Sequence, residues 1–199
     1  QIEYGAEWEG NQPGTRCCPA VDDGRVFILS GHGLLVCCDV TNGDVIWQKD
    51  VAKESGGETP ACGFAESLLL DGGNVICTPG GEDAALVALN KKTGDVVWTT
   101  KGFSEQSAYC SPILVERGGL RLVVTLTVQS LVGVDASNGI VVWKMPFDET
   151  EELQNHSVSP VYSDGLIYAT SGHRKGGQMY ALAEDGRSVS LKWGDEILN

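Results

Sequence analysis

Nowhere in the 199-residue sequence does an uninterrupted apolar run approach 18 residues, the length that a membrane-crossing helix needs. Positive charge is scarce: 14 Lys and Arg stand against 27 Asp and Glu, for a formal charge of −13. Duplex nucleic acid and anionic membrane surfaces call for a basic field, so neither is expected as the main partner. The chain opens on Gln1 without a basic region leading into an apolar run, as a mature form or an excised piece would. No segment sustains a 3.6-residue apolar period, and the best helical candidate, 147–153, allows one or two turns. That excludes βαβ units and a Rossmann nucleotide site, and neither G-x-G-x-x-G nor G-K-[ST] is present.

What the chain does contain is 26 Gly, 5 Trp, 7 Cys and 42% apolar residues, a folded composition long enough to bury its own core. The cysteines are odd in number, so one stays unpaired unless chains are bridged. Cys17-Cys18 and Cys37-Cys38 are adjacent pairs, a spacing at which two thiolates do not easily converge on one tetrahedral ion. Cys37, Cys38 and Cys77 lie in apolar runs and are expected to act as small buried hydrophobes. The redox compartment stays open.

An internal repeat organises everything else. Gly43-Asp44-Val45-Ile46-Trp47, Gly94-Asp95-Val96-Val97-Trp98 and Gly139-Ile140-Val141-Val142-Trp143 recur, followed by Gly186 with Leu191-Lys192-Trp193. Their glycines are 51, 45 and 47 residues apart. Within each unit, short runs of β-branched and aromatic residues alternate with Gly, Asn and Asp turns, the signature of hairpin-linked strands. Asn42-Gly43 and Asn138-Gly139 supply the backbone freedom of tight turns. Four-stranded antiparallel units repeating at this period are propeller blades, and the terminal Trp of each is expected to pack between blades. The fourth unit is expected to deviate most, because its Gly-to-Trp spacing is seven residues against four elsewhere.

The strings Val36-Cys37-Cys38-Asp39-Val40-Thr41-Asn42-Gly43-Asp44-Val45-Ile46-Trp47 and Leu86-Val87-Ala88-Leu89-Asn90-Lys91-Lys92-Thr93-Gly94-Asp95-Val96-Val97-Trp98 resemble a known repeat. It is the tryptophan-docking repeat of the pyrroloquinoline-quinone (PQQ) dehydrogenase-like propellers. The resemblance covers nearly all of 12–195 and extends to bacterial PQQ-binding-like propeller repeat proteins and the outer-membrane assembly propeller lipoprotein. It implies an all-β chain: four four-stranded antiparallel blades forming part of a seven- or eight-bladed propeller. Blades are expected at 12–50, 59–101, 104–146 and 153–195 in an open arc. Residues 1–11, with Trp8, would be a stray outer strand of a preceding or closing blade. Open edges expose unpaired strands, so missing blades, another copy or a protein partner should cover them. The resemblance also implies a periplasmic or secreted location.

In such propellers, the loops joining strands two and three and those entering the innermost strands share one end. This places His32, Glu82, Asp83, Gln129, His156, His173 and Arg174 as candidates for a binding face taking a protein, peptide, glycan or small ligand. No catalytic residue, cofactor or metal is expected on the leading reading, a non-enzymatic scaffold. The alternative is a quinoprotein alcohol dehydrogenase or a fragment of one, using PQQ with calcium. The resemblance to those enzymes implies a vicinal disulfide against the quinone, and Cys17-Cys18 precede an innermost strand as that pair would. The metal shell and catalytic Asp of such enzymes have no assignable counterparts in this sequence.

Overall fold

The computed structural model describes residues 4–148, 155–171 and 176–195. They form four four-stranded antiparallel sheets, each with its strands in sequence order. The first sheet holds β1 (Ala20–Asp22), β2 (Arg25–Leu29), β3 (Leu34–Asp39) and β4 (Val45–Asp50). A short helix, α1 (Val51–Ser55), leads to β5 (Leu69–Asp71), β6 (Asn74–Cys77), β7 (Val87–Asn90) and β8 (Val96–Thr99). The third sheet is β9 (Ile113–Arg117), β10 (Leu120–Leu126), β11 (Ser130–Asp135) and β12 (Val141–Pro146). The fourth is β13 (Val161–Ser163), β14 (Leu166–Thr170), β15 (Gly177–Leu182) and β16 (Val189–Gly194). The chain divides into two compact units, Gln1–Ser107 and Ala108–Asn199.

Local chemistry closes the first three outer hairpins in the same way. The Asp39 carboxylate accepts from the Thr41 amide at 2.7 Å, and its carbonyl accepts from Gly43 at 2.9 Å. Asn90 and Asp135 repeat both contacts with Lys92 and Gly94 and with Ser137 and Gly139. These side chains mimic a turn of backbone, which is why Asx residues begin the turns.

The four outer-strand tryptophans share one register. Trp47 pairs with Cys37, Trp98 with Ala88, Trp143 with Gly133 and Trp193 with Met179. In every sheet the register slips immediately beside that pair, leaving Ile46, Val97, Val142 or Lys192 as the extra residue of a bulge. The fourth hairpin keeps this arrangement but carries two additional ladder pairs between turn and bulge, at Ala181 and Tyr180. Of the three residues by which the spacing grows, two join the ladder, which preserves the face on which a side chain points, and one falls in the turn, so Trp193 stays on the expected side.

In the first unit, Phe27, Leu29, Leu35, Phe64, Val75 and Leu89 form the core, with Trp47 packed against it. Cys37, Cys38 and Cys77 are completely buried, and burial raises all three thiol pKa values, that of Cys37 to about 11. The Trp47 indole reaches beyond its own sheet: Nε1 donates to the Lys91 carbonyl at 3.0 Å. Its ring lies over Gly94, where a Cβ would sit 2.8 Å from the indole. In the second unit, Leu122, Leu126, Leu131, Trp143, Ile167 and Tyr180 belong to one core. Trp143 lies against Gly133, where an added Cβ would fall 2.2 Å from the ring.

The helix stands where the sequence reading places none. Asp50 caps it by accepting from the Lys53 amide at 3.0 Å, and Gly56 ends it in the left-handed conformation at φ 67°. Five residues are too few for a visible 3.6-residue period, so only the flanking Asp and Gly signal it. Of the expected 147–153 turn, Phe147 and Asp148 are not helical and the remainder lies outside the described residues. Residues 4–19 form no strand, so 4–11 make no sheet pairing among the described residues.

Candidate functional site

The β2–β3 loop carries His32 at one end of the first unit. Ser30 shapes this loop by accepting the Leu34 amide on its hydroxyl at 3.0 Å while its own amide donates to the Leu34 carbonyl at 2.9 Å. His32 is exposed, its ring centroid 5.1 Å from that of Trp8 and Nε2 3.4 Å from the Glu7 carbonyl. Phe64 donates its amide to the Gly31 carbonyl at 2.9 Å, tying the loop to the segment that enters β5.

The β6–β7 loop brings Glu82 and Asp83 to the same end. The segment after β4 links the two loops, with Ala52 beneath Gly33 and Gly57 against the Pro79 carbonyl. Both acidic residues are exposed. Asp83 adopts φ 54°, a conformation Asp tolerates better than most residues, and its carboxylate accepts from the Gly102 amide at 2.5 Å. Asp83 therefore braces its loop, whereas the Glu82 carboxylate has no partner among the described residues.

Beneath this end lies a buried carboxyl that the sequence reading does not single out. Glu66 is 1% exposed and accepts twice from Thr78, from the amide and from the hydroxyl, both at 2.7 Å. The Thr78 hydroxyl is also 3.3 Å from that of Ser107. Burial raises the Glu66 pKa to about 7, against the lowering effect of both Thr78 contacts. Nothing in its sequence neighbourhood distinguishes it from a surface Glu, because burial comes from a loop 12 residues later and a serine 41 later.

Cys17 and Cys18 enter β1 beside the same cluster. Cys17 is buried with Sγ 3.6 Å from the Phe64 carbonyl, and Cys18 is exposed with its amide donating to Ser67 Oγ at 3.1 Å. Both are free thiols. Burial foremost, then the Glu66 charge, pushes the Cys17 thiol up to about 12, which leaves it protonated and unreactive at neutral pH.

The second unit treats its candidates differently. Gln129 is exposed at the tip of the β10–β11 turn, and its carbonyl accepts from the Phe147 and Asp148 amides at 2.8 and 3.0 Å. His156, expected on the surface, is instead fully buried at 0%. Its Nε2 lies 2.9 Å from the Val128 carbonyl and 4.0 Å from the Asp148 carboxylate, with Phe147 edge-on at 5.1 Å. The His156 carbonyl accepts from the Tyr109 amide at 3.1 Å. His156 pins loops together from inside and does not touch the outside. His173 and Arg174 lie outside the described residues.

Two loops of the first unit thus display His32, Glu82 and Asp83 on a firm base, a surface suited to polar recognition. Among the described residues, no three His, Cys, Asp or Glu side chains converge as metal ligands. The buried Glu66 carboxyl is already engaged by Thr78. Among the described residues of this end, Glu66, bound by Thr78, and Asp83, bound by the Gly102 amide, do not converge as the ligands of a calcium ion beside a quinone would.

The sequence pattern of the outer membrane protein assembly factor BamB family matches residues 6–198. The chain belongs to that family. The BamB-family chain is 27% identical over 188 residues to the outer membrane protein assembly factor BamB of Moranella endobia, a match covering 92% of this chain and 42% of that protein. It is 29% identical over 171 residues to the quinoprotein alcohol dehydrogenase PedH of Pseudomonas putida, covering 82% of this chain and 27% of the enzyme. The chain therefore spans well under half the length of both relatives. Among solved structures, BamB from Moraxella catarrhalis superposes with a TM-score of 0.63 at 16% identity, covering 92% of this chain and 50% of that one. That likeness establishes the propeller fold. No helix of the described residues is long and apolar enough to cross a membrane.

Proposed function

We propose that this BamB-family chain is a non-enzymatic propeller module that binds a protein, peptide or glycan at the loop end carrying His32, Glu82 and Asp83. The observation that carries this reading is the pair of exposed polar loops, that of His32 held by the Phe64 amide and that of Glu82 and Asp83 following Thr78, which binds the buried Glu66. Loops held rigidly by a β scaffold are where binding residues concentrate. On this reading the sheets are blades at 12–50, 59–101, 104–146 and 153–195 of a seven- or eight-bladed propeller. Residues 1–11 then belong to a preceding or closing blade, and the module works outside the cytoplasm.

Panning peptide and glycan arrays with the purified chain, then mapping amide exchange on the best binder, tests the binding half. Protection at 30–33 and 79–83 is the expected result, and Glu82→Lys weakens it. Protection of the best binder confined to the turns at 22–25 and 90–94 would place the surface at the wrong end.

The identity to PedH motivates a second reading, a piece of a quinoprotein dehydrogenase. Dye reduction by the chain with added quinone, calcium and short alcohols separates the two. The scaffold gives no turnover; turnover that disappears in Cys17→Ser establishes the enzyme reading.

A further inference from the structure

The other end of the first unit holds a cavity of about 440 Å³, set between the β1–β2 turn and the β7–β8 turn. This is within the size range of small-molecule sites. Its wall gathers Arg25, Lys91 and Lys92, three of the 14 basic residues of a chain whose net charge is −13. Two carboxylates share the wall and are already satisfied. Asp22 is paired with the Lys91 ammonium, and Asp23 accepts from Arg25 Nη1 at 3.3 Å. One positive charge is left over. Arg25 spends a single nitrogen on protein acceptors, the Asp23 carbonyl and carboxylate, while its buried Nε has none. The Lys92 side chain is exposed and makes no ion pair among the described residues.

The frame around these cations is fixed. The Lys91 amide donates to the Gly73 carbonyl at 2.8 Å, and the Lys91 carbonyl accepts the Trp47 indole. Phe27 lies fully buried behind the wall, and Gly72 and Gly73 leave open space where side chains would otherwise stand. Guanidinium and ammonium donors at a cavity larger than a simple ion needs suit an anionic head on an organic body. We propose that this cavity binds a small organic anion, its carboxylate or phosphate head on Arg25 and Lys92 and its body in the open space beside Gly72 and Gly73. The site is separate from the loop end and does not depend on the reading given above.

Amide and Arg Nε NMR shifts of the labelled chain, titrated with phenyl phosphate, benzoate and inorganic phosphate, test it. Saturable shifts at Gly72, Gly73 and Arg25 Nε are expected with at least one organic probe, at lower concentration than with inorganic phosphate. The tighter of phenyl phosphate and benzoate identifies the head group. Lys92→Gln alters an exposed side chain, so it keeps the fold; it weakens binding about tenfold, the scale of one charge-assisted hydrogen bond. Arg25→Gln weakens it at least as much, and Lys101→Gln leaves it unchanged. Failure of both organic probes to saturate, equal affinity in wild type and Lys92→Gln, or shifts confined to 30–33 and 79–83 overturns the proposal.

Discussion

The two units build the same sheets and finish them differently. In the first, the outer-strand Trp47 is docked, its indole bonded to the Lys91 carbonyl and its ring laid on Gly94. In the second, Trp193 has the same partner register beside the same bulge, yet it is 47% exposed with Tyr168 as its aromatic neighbour. Beneath the loops, the first unit buries a carboxyl, Glu66, and the second an imidazole, His156. Register is a property of the hairpin, while burial is a property of whatever stands next to it. Identical local patterns therefore carry unequal energies.

Truncating the tryptophans probes that inequality most strongly. Trp98 and Trp143 are 6% and 7% exposed. Emptying either site with Ala is expected to cost about 3–5 kcal/mol, against less than about 1 kcal/mol for Trp193→Ala. Denaturant melts measure all three, and equal losses at Trp98 and Trp193 would abolish the distinction.

The buried carboxyl gives the first unit a pH signature. Unfolded, Glu66 releases its proton near 4.5; folded, it holds it until about 7. The native state then binds more protons across that window, so this group's contribution is full below about 4.5 and is lost as pH rises through 7. The loss is on the order of 3 kcal/mol. Urea melts at pH 5 and pH 8 should show it, and Glu66→Gln should flatten the difference. A wild-type profile without that fall would mean the carboxyl is hydrated.

Docking of Trp47 can be attacked from beneath. Gly94→Ala adds a Cβ 2.8 Å from the ring at φ 76°, combining overpacking with backbone strain for about 2–4 kcal/mol. Gly72→Ala, at φ 53° with nothing within 4 Å, carries only the strain, about 1 kcal/mol. Similar melting points for the two variants would show that the ring moves aside at little cost.

The smallest effect concerns association. Leu191 and Trp193 are exposed on β16, an apolar pair that screening at physiological salt leaves accessible despite the charge of −13. Sedimentation should show self-association at high micromolar concentration, weakened in Trp193→Lys by roughly the burial of one aromatic face. A strictly monomeric wild type refutes this.

Much of the fold is legible because its signals are local. Asx residues that begin the turns, glycines that end them and a Trp four residues later fix the first three outer hairpins within about a dozen residues. The fourth hairpin shows how far this reaches: its longer spacing is visible in sequence, but only the ladder reveals that two residues were added in the pairing and the face was kept. The candidate site is less legible. His32, Glu82 and Asp83 are found on the loops where the repeat puts them, whereas His156 occupies the expected loop region but turns inward. Glu66 is not legible at all, since its partner Thr78, and Ser107 beside Thr78, are distant in sequence.

By itself, then, the sequence determined the strands, their order and the register of the tryptophans, since hydrogen-bonded turns and a two-residue side-chain period act over short stretches of chain. Only the tertiary structure decided which tryptophan is docked and which histidine is buried. It also decided that Glu66 keeps its proton near neutrality and that Arg25, Lys91 and Lys92 share one cavity. Burial and electrostatic environment are set by neighbours that the chain brings close only after it has folded.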